Sequence, residues 1–229
     1  MISPRSKYNS GRLTARLNNT SANSKLSAGV HHISFDSKKD ALLYVPISYN
    51  SDKPAPLAVM LHGSGGKAEH GLTLLRGYAD ERNLILLAPA LREYTWDIIK
   101  DNNFGPDVIF LDSALDFIFK KFSIDASHVA IGGFSDGASY ALCIGLTNGD
   151  IFTHVIAFSP GFIYTDEKHG KPAVFISHGT DDNILTITSC SRRIVLQLQK
   201  QNYPVNYKEF TGGHDIPVEI STAAVQWFL

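Results

Sequence analysis

A chain of 229 residues is long enough for one domain with a full core. Hydrophobic residues at 44% and charged residues at 19% are ordinary for a soluble globular protein. With a formal net charge of -1, no global field draws nucleic acid, a membrane or acidic substrates, so function must be sought in a site.

Residues 1–28 carry Arg5, Lys7, Arg12, Arg16 and Lys25, no acid, and many Ser and Asn. That composition predicts a solvated, partly ordered basic arm, the alternative being contact with an anionic partner or another subunit. The domain itself is then expected over 29–229. The N-terminus lacks the apolar core of a signal peptide, and no stretch approaches a membrane span, so a cytoplasmic setting is expected. Cys143 and Cys190 have no neighbouring Cys or His at ligand spacing. They read as buried thiols in a reducing compartment, with no metal.

Val30–Phe35 and Ala41–Val45 read as a hairpin around the polar turn at 37–40. Pro56–Leu61 is a continuous apolar run, as expected of a strand covered on both faces. A helical stretch over 68–82 and a second apolar run, Leu84–Ala88, follow. Pro106 opens the clearest helix, in which Val108, Leu111, Leu115, Ile118 and Phe122 form one stripe. Next come a strand at His128–Gly133, a helix from Asp136 to Leu146, and strands at His154–Phe158 and Ala173–Ser177. A helix over 188–202, a strand at Val205–Phe210 and a helix at Pro217–Phe228 end the chain. Strands alternating with helices predict an α/β fold, a mainly parallel sheet with helices on both faces, in one domain. In such sheets the site forms beyond the carboxyl ends of the strands.

Gly133-Phe134-Ser135-Asp136-Gly137 matches G-x-S-x-G between a strand and a helix. A serine on so sharp a turn has a strained backbone and neighbours without room for side chains, which explains both glycines. The turn presents Ser135 Oγ at the sheet edge and aims a helix N-terminus at the reaction centre. An ordinary glycine turn is the alternative. Leu61-His62-Gly63-Ser64-Gly65-Gly66 follows the third strand. Acyl transfer develops charge on the former carbonyl oxygen and needs preplaced donors. The N–H groups of Ser64 and Asp136 are the candidates, with Gly65 letting the backbone approach substrate. A phosphate loop would also be glycine-rich, but its Lys-Ser/Thr is missing.

Ile176–Asp182 follows one strand and Phe210–His214 the last. An order of Ser, acid, His is the one such folds use, with His214 as base and Asp181 or Asp182 as its orienter. Asp215 is too close in sequence to face the histidine. His62 and His178, at strand ends, read as structural hydrogen-bonders. Trp96, in the long segment Leu91–Gly105, is either a substrate-pocket wall or surface packing. Asp107 and Asp112 read as helix-start and polar-face carboxylates.

LHGSGG at 61–66, GGFSDGA at 132–138, HGTDD at 178–182 and GGH at 212–214 resemble the phospholipase/carboxylesterase group of α/β-hydrolases. That group includes acyl-protein thioesterases, and the chain is also similar to feruloyl-esterase-like and polyhydroxybutyrate-depolymerase-like proteins. The likeness spans about Ala41 to Leu229. It implies that the acid is Asp182, the fifth residue of H-G-x-x-D, and that Ser64 and Asp136 are the oxyanion donors. Acyl-protein thioesterases usually carry Gln where this chain has Asp136, and Pro soon after the acid where it has Leu185. The short stretch between Phe158 and Ala173 has no room for a large cap.

The expectation is therefore a serine carboxylesterase acting through an acyl-enzyme on Ser135, with short- to medium-chain esters as small-molecule substrates. It needs no cofactor and no metal, and no nucleic acid or stable membrane association is expected. A thioesterase or lysophospholipase would use the same triad, and a non-catalytic ligand-binding protein is a third class.

Overall fold

The computed structural model describes residues 8–17, 24, 26–35, 41–91 and 93–229. Among them run eight strands: β1 (Gly29–Ile33), β2 (Ala41–Val45), β3 (Ala55–Leu61), β4 (Ile85–Pro89), β5 (Ile124–Phe134), β6 (His154–Phe158), β7 (Ala173–Gly179) and β8 (Val205–Phe210). Their spatial order is β1-β2-β4-β3-β5-β6-β7-β8. β1 and β2 pair antiparallel, as do β2 and β4, and every later pairing is parallel. The turn expected at 37–40 lies outside the described residues.

The helices are α1 (Ala68–Thr73), α2 (Asp97–Asp101), α3 (Pro106–Lys121), α4 (Asp136–Thr147), α5 (Ser191–Lys200) and α6 (Val218–Phe228). Period-two alternation sends Leu57, Val59 and Leu61 of β3 into the core shared with α3, α4 and α5. Ala58 and Met60 go to the opposite core, with α1 and α6. Both faces are covered, which is why the strands read as unbroken apolar runs. The α3 stripe is buried as its spacing predicts. No helix among the described residues is long and apolar enough to cross a membrane.

Two elements differ from expectation. The helical stretch over 68–82 is α1 followed by a 3-10 turn at Arg76–Tyr78. The chain leaves α geometry at Leu75, with φ -129° and ψ 2°, and both Leu75 and Ala79 are fully buried. The segment Leu91–Gly105 contains α2, whose five residues are too few for a readable period. Carboxylates cap it reciprocally with α3: Asp107 Oδ2 accepts the Asp97 N–H at 2.9 Å, and Asp97 Oδ2 accepts those of Gly105 and Asp107.

Residues 8–17 correct the expectation of a solvated arm. Leu13 and Ala15 belong to the core. Asp112, buried on α3, accepts hydrogen bonds from the Tyr8 hydroxyl (2.9 Å), the Thr14 N–H and hydroxyl (2.7 and 2.6 Å) and the Ala15 N–H (2.7 Å). Asn148, buried at the end of α4, accepts the Leu13 N–H at 2.8 Å and donates to Gly11 O at 2.9 Å. A buried carboxylate and a buried amide both need partners, and the arm supplies them. Its basic side chains meet the domain's own acid, since Arg12 and Arg16 both pair with Asp150.

Candidate active site

Ser135 stands between β5 and α4 with φ 56° and ψ -120°, a left-handed conformation costly for a side-chain-bearing residue. The surroundings hold it: Ser135 N–H donates to Phe158 O at 2.9 Å, and Ser139 N–H donates to Ser135 O at 3.0 Å. A Cβ on Gly133 would stand 2.5 Å from Leu61 O, and one on Gly137 2.4 Å from the same oxygen. The flanking glycines let α4 and the end of β3 come this close.

His214, on the loop after β8, places Nε2 2.9 Å from Ser135 Oγ and Nδ1 2.6 Å from Asp182 Oδ2. Asp182 follows β7, and its side chain is fully buried. Its Oδ1 accepts the N–H groups of Ile184 (2.9 Å) and Leu185 (2.8 Å). Burial pushes this carboxyl up, but the His214 bond and the two N–H donors together hold it below the ordinary carboxylate range. Asp182 therefore stays ionised beside the imidazole. Asp181 and Asp215 are exposed, and Asp182 is the carboxylate that faces His214.

His178 carries a task beyond filling space. It is fully buried, with Nε2 2.7 Å from Leu185 O and 3.1 Å from Asp182 Oδ2. A carbonyl only accepts, so Nε2 carries the proton and Nδ1, 2.6 Å from the Ser191 hydroxyl, accepts. Burial pushes its pKa down, keeping the ring neutral. His178 thus pins the loop whose N–H groups hold Asp182.

Gly63–Gly66 forms a turn closed by Gly66 N–H to Gly63 O at 3.1 Å, with Gly65 at φ 65°. A Cβ on Gly63 would lie 3.4 Å from Ser135 Cβ, so the turn rests against the serine. Ser64 and Gly65 are exposed at its apex. Asp136 is the first residue of α4, where a helix leaves its N–H groups without carbonyl partners. The side chain of His62 turns away, Nδ1 donating to Gly63 O at 2.8 Å.

Trp96 requires a correction. It is 2% exposed, stacked on Tyr140 of α4 with ring centroids 5.0 Å apart, and its indole N–H donates to His62 O at 3.1 Å. A ring with so little free surface cannot wall a pocket, and it is not surface packing either. The open aromatic of that segment is Tyr94, 75% exposed, whose ring would lie 3.6 Å from a Cβ on Gly65. Composition and periodicity gave no means of choosing between the two. Residues 159–172 contain no helix or strand, and no cap covers this end of the sheet among the described residues. A cavity of about 590 Å³ opens elsewhere, among Tyr8, Phe35 and the start of α3, and none of the site residues lines it.

Comparison with known proteins bears on this arrangement. The phospholipase/carboxylesterase family model matches residues 111–229. A probable feruloyl esterase C of Aspergillus flavus is 29% identical over 165 residues, 69% of this chain and 58% of that protein. Feruloyl esterase B of Thermothelomyces thermophilus is 27% identical over 146 residues, 60% of this chain and 48% of its own. The chain thus spans about half to three-fifths of the length of these relatives. Among solved structures, an S-formylglutathione hydrolase from Staphylococcus aureus superposes with TM-score 0.67 at 17% identity, covering 88% of this chain and 99% of that one. A ferulic acid esterase from Anaeromyces mucronatus, in complex with ferulic acid, gives TM-score 0.62 at 17% identity, covering 92% and 95%. At these identities the structures speak for the fold. The family match, over more than half of the chain, and the α/β architecture agree: the chain belongs to the phospholipase/carboxylesterase family of α/β-hydrolases.

Proposed function

We propose that this chain is a serine carboxylesterase, one catalytic domain with its N-terminal arm docked on it. The observation that carries the reading is the continuous hydrogen-bond chain from Ser135 Oγ through His214 to Asp182. In the first half-reaction His214 Nε2 takes the Ser135 proton as Oγ attacks the ester carbonyl carbon. The oxygen that gains charge is met by the N–H groups of Ser64 and Asp136. Collapse breaks the bond to the alcohol, which leaves with the proton from His214, and the acyl group stays on Ser135. Water, deprotonated by the same imidazole, then releases the acid. Asp182 holds the Nδ1–H tautomer and stabilises the imidazolium. None of these steps calls for a cofactor or a metal.

The uncapped end of the sheet favours soluble esters of short to medium acyl chain. Each buried methylene is worth about 0.8 kcal/mol, roughly fourfold in kcat/KM, but only while wall contacts last. Activity on p-nitrophenyl esters is expected to rise from acetyl to about butyryl or hexanoyl and then level or fall. A hydroxycinnamoyl ester belongs in the panel because the relatives are named feruloyl esterases, and thioesters because the same triad would serve them. Free, buried Cys143 and Cys190 support a reducing, cytoplasmic setting. Hydrolysis across the panel that disappears in Ser135→Ala is the expected result. An optimum at palmitoyl would contradict the open site, and equal rates in Ser135→Ala would contradict the nucleophile.

A further inference from the structure

Three consecutive residues, Tyr94, Thr95 and Trp96, each bond to a different part of the oxyanion machinery. Tyr94 O accepts the Gly65 N–H at 3.2 Å, which ties the segment to the far side of the Gly63–Gly66 turn. The Thr95 hydroxyl donates to Asp136 Oδ2 at 2.7 Å, on the residue after the nucleophile. The Trp96 indole N–H donates to His62 O at 3.1 Å, on the near side of the turn. Thr95 and Trp96 are 9% and 2% exposed, so water competes little for their bonds. Trp96 also stacks on Tyr140 at an interplanar angle of 16°, which fixes the segment against the body of α4.

The two candidate donors lie on different elements, Ser64 after β3 and Asp136 at the start of α4. Nothing in the covalent chain sets the gap between them, and stabilisation of a developing oxyanion requires both within about 2.7–3.1 Å of one point. We infer that the segment 94–96 is a strut that sets this gap, with Thr95 and Trp96 as positioning residues for the oxyanion hole. Thr95, in the middle, grips Asp136, and Tyr94 and Trp96 on either side of it grip the two shoulders of the Ser64 turn. The inference rests on the serine-esterase reading and adds to it residues that never touch the substrate.

A strut of this kind acts on the transition state and leaves ground-state binding alone. Thr95→Val and Trp96→Phe should each lower kcat about tenfold, less than the roughly 10²–10³ that follows loss of a whole donor, with KM within about twofold. Affinity for a trifluoromethyl ketone, whose hemiketal on Ser135 places an oxygen in the hole, should fall in parallel with kcat/KM. Thr95→Ser keeps the hydroxyl and should restore both. The downfield Nδ1 proton resonance of His214 should stay unchanged, which separates loss of the strut from general damage to the site. If Trp96→Phe folds poorly, Trp96 can be replaced by its isostere β-(3-benzothienyl)alanine, which removes only the N–H donor. Wild-type kcat in Thr95→Val and in the N–H-deleted variant would overturn the strut alone. Loss of kcat in Thr95→Val with unchanged ketone affinity would also overturn it. A wild-type protein inert toward both esters and the ketone would overturn the esterase reading and the strut with it.

Discussion

Asp182 has both oxygens engaged, Oδ2 at 2.6 Å from His214 Nδ1 and Oδ1 under the N–H groups of Ile184 and Leu185. Asp181, one residue earlier, is exposed, and its N–H donates to Gly212 O. Asp182→Asn is expected to lower kcat by about 10⁴, because an amide in that position favours the wrong imidazole tautomer. Asp181→Asn should stay within a few-fold of wild type, and kcat on a p-nitrophenyl ester checks both. A reversed ranking would mean that the other carboxylate orients His214. At this scale Ser135 and His214 can be picked out as candidates from residue type and position after strands, and the structure brings them to 2.9 Å. The choice of Asp182 needed the family spacing, because a turn hides which of two neighbours points inward. Thr95 carries no such signal, because its partner Asp136 meets it only through the fold; His178 reads as a structural hydrogen-bonder, and its bond to Leu185 O fits that role.

The elements that position the site are the loops at the carboxyl ends of β3, β5, β7 and β8; apolar runs mark the first three of these strands, and flanking glycines mark all four loops. α2 and the arm were hidden for different reasons. α2 is shorter than two helical turns, so no periodic stripe can show. The arm looks solvated because it is polar, and what it binds, Asp112 and Asn148, lies about a hundred residues away or more. Asp112→Ala removes the acceptor for two backbone N–H groups and two hydroxyls. Since each unsatisfied buried donor costs about 1–3 kcal/mol, urea unfolding should show a loss of at least that size. Esterase activity at low temperature should persist, because none of these groups approaches Ser135. Unchanged stability would mean that residues 8–17 contribute nothing by docking.

At the scale of the whole molecule, folding lowers the pKa of His178 and of His154. Burial pushes His178 below its usual pKa, and burial together with His128 does the same to His154. His154 lies at the amino end of β6, its Nδ1 2.8 Å from the Thr153 hydroxyl, and its ring stacks beside His128 and meets Trp227 and Phe228 edge-on. Between the lowered folded values and about 6.5, the unfolded chain binds more protons than the folded one. Stability from these groups is therefore complete above about pH 6.5 and is lost as pH falls through the folded values. Urea midpoints should drop between about pH 7.5 and 5.5, and His154→Gln should flatten that dependence. An equally steep dependence in His154→Gln would exclude this histidine as a source.

Covalent labelling tests Ser135 as an activated nucleophile without reference to any substrate. A fluorophosphonate probe reacts with a serine whose proton a neighbouring imidazole removes, and the phosphoryl oxygen occupies the oxyanion position. Mass spectrometry of the labelled protein should show one adduct, on the peptide carrying Gly133-Phe134-Ser135-Asp136-Gly137. His214→Ala should slow labelling by several orders of magnitude, and Ser135→Ala should abolish it. An unlabelled wild-type protein, or an adduct that survives in Ser135→Ala, would mean that Ser135 is not the activated nucleophile.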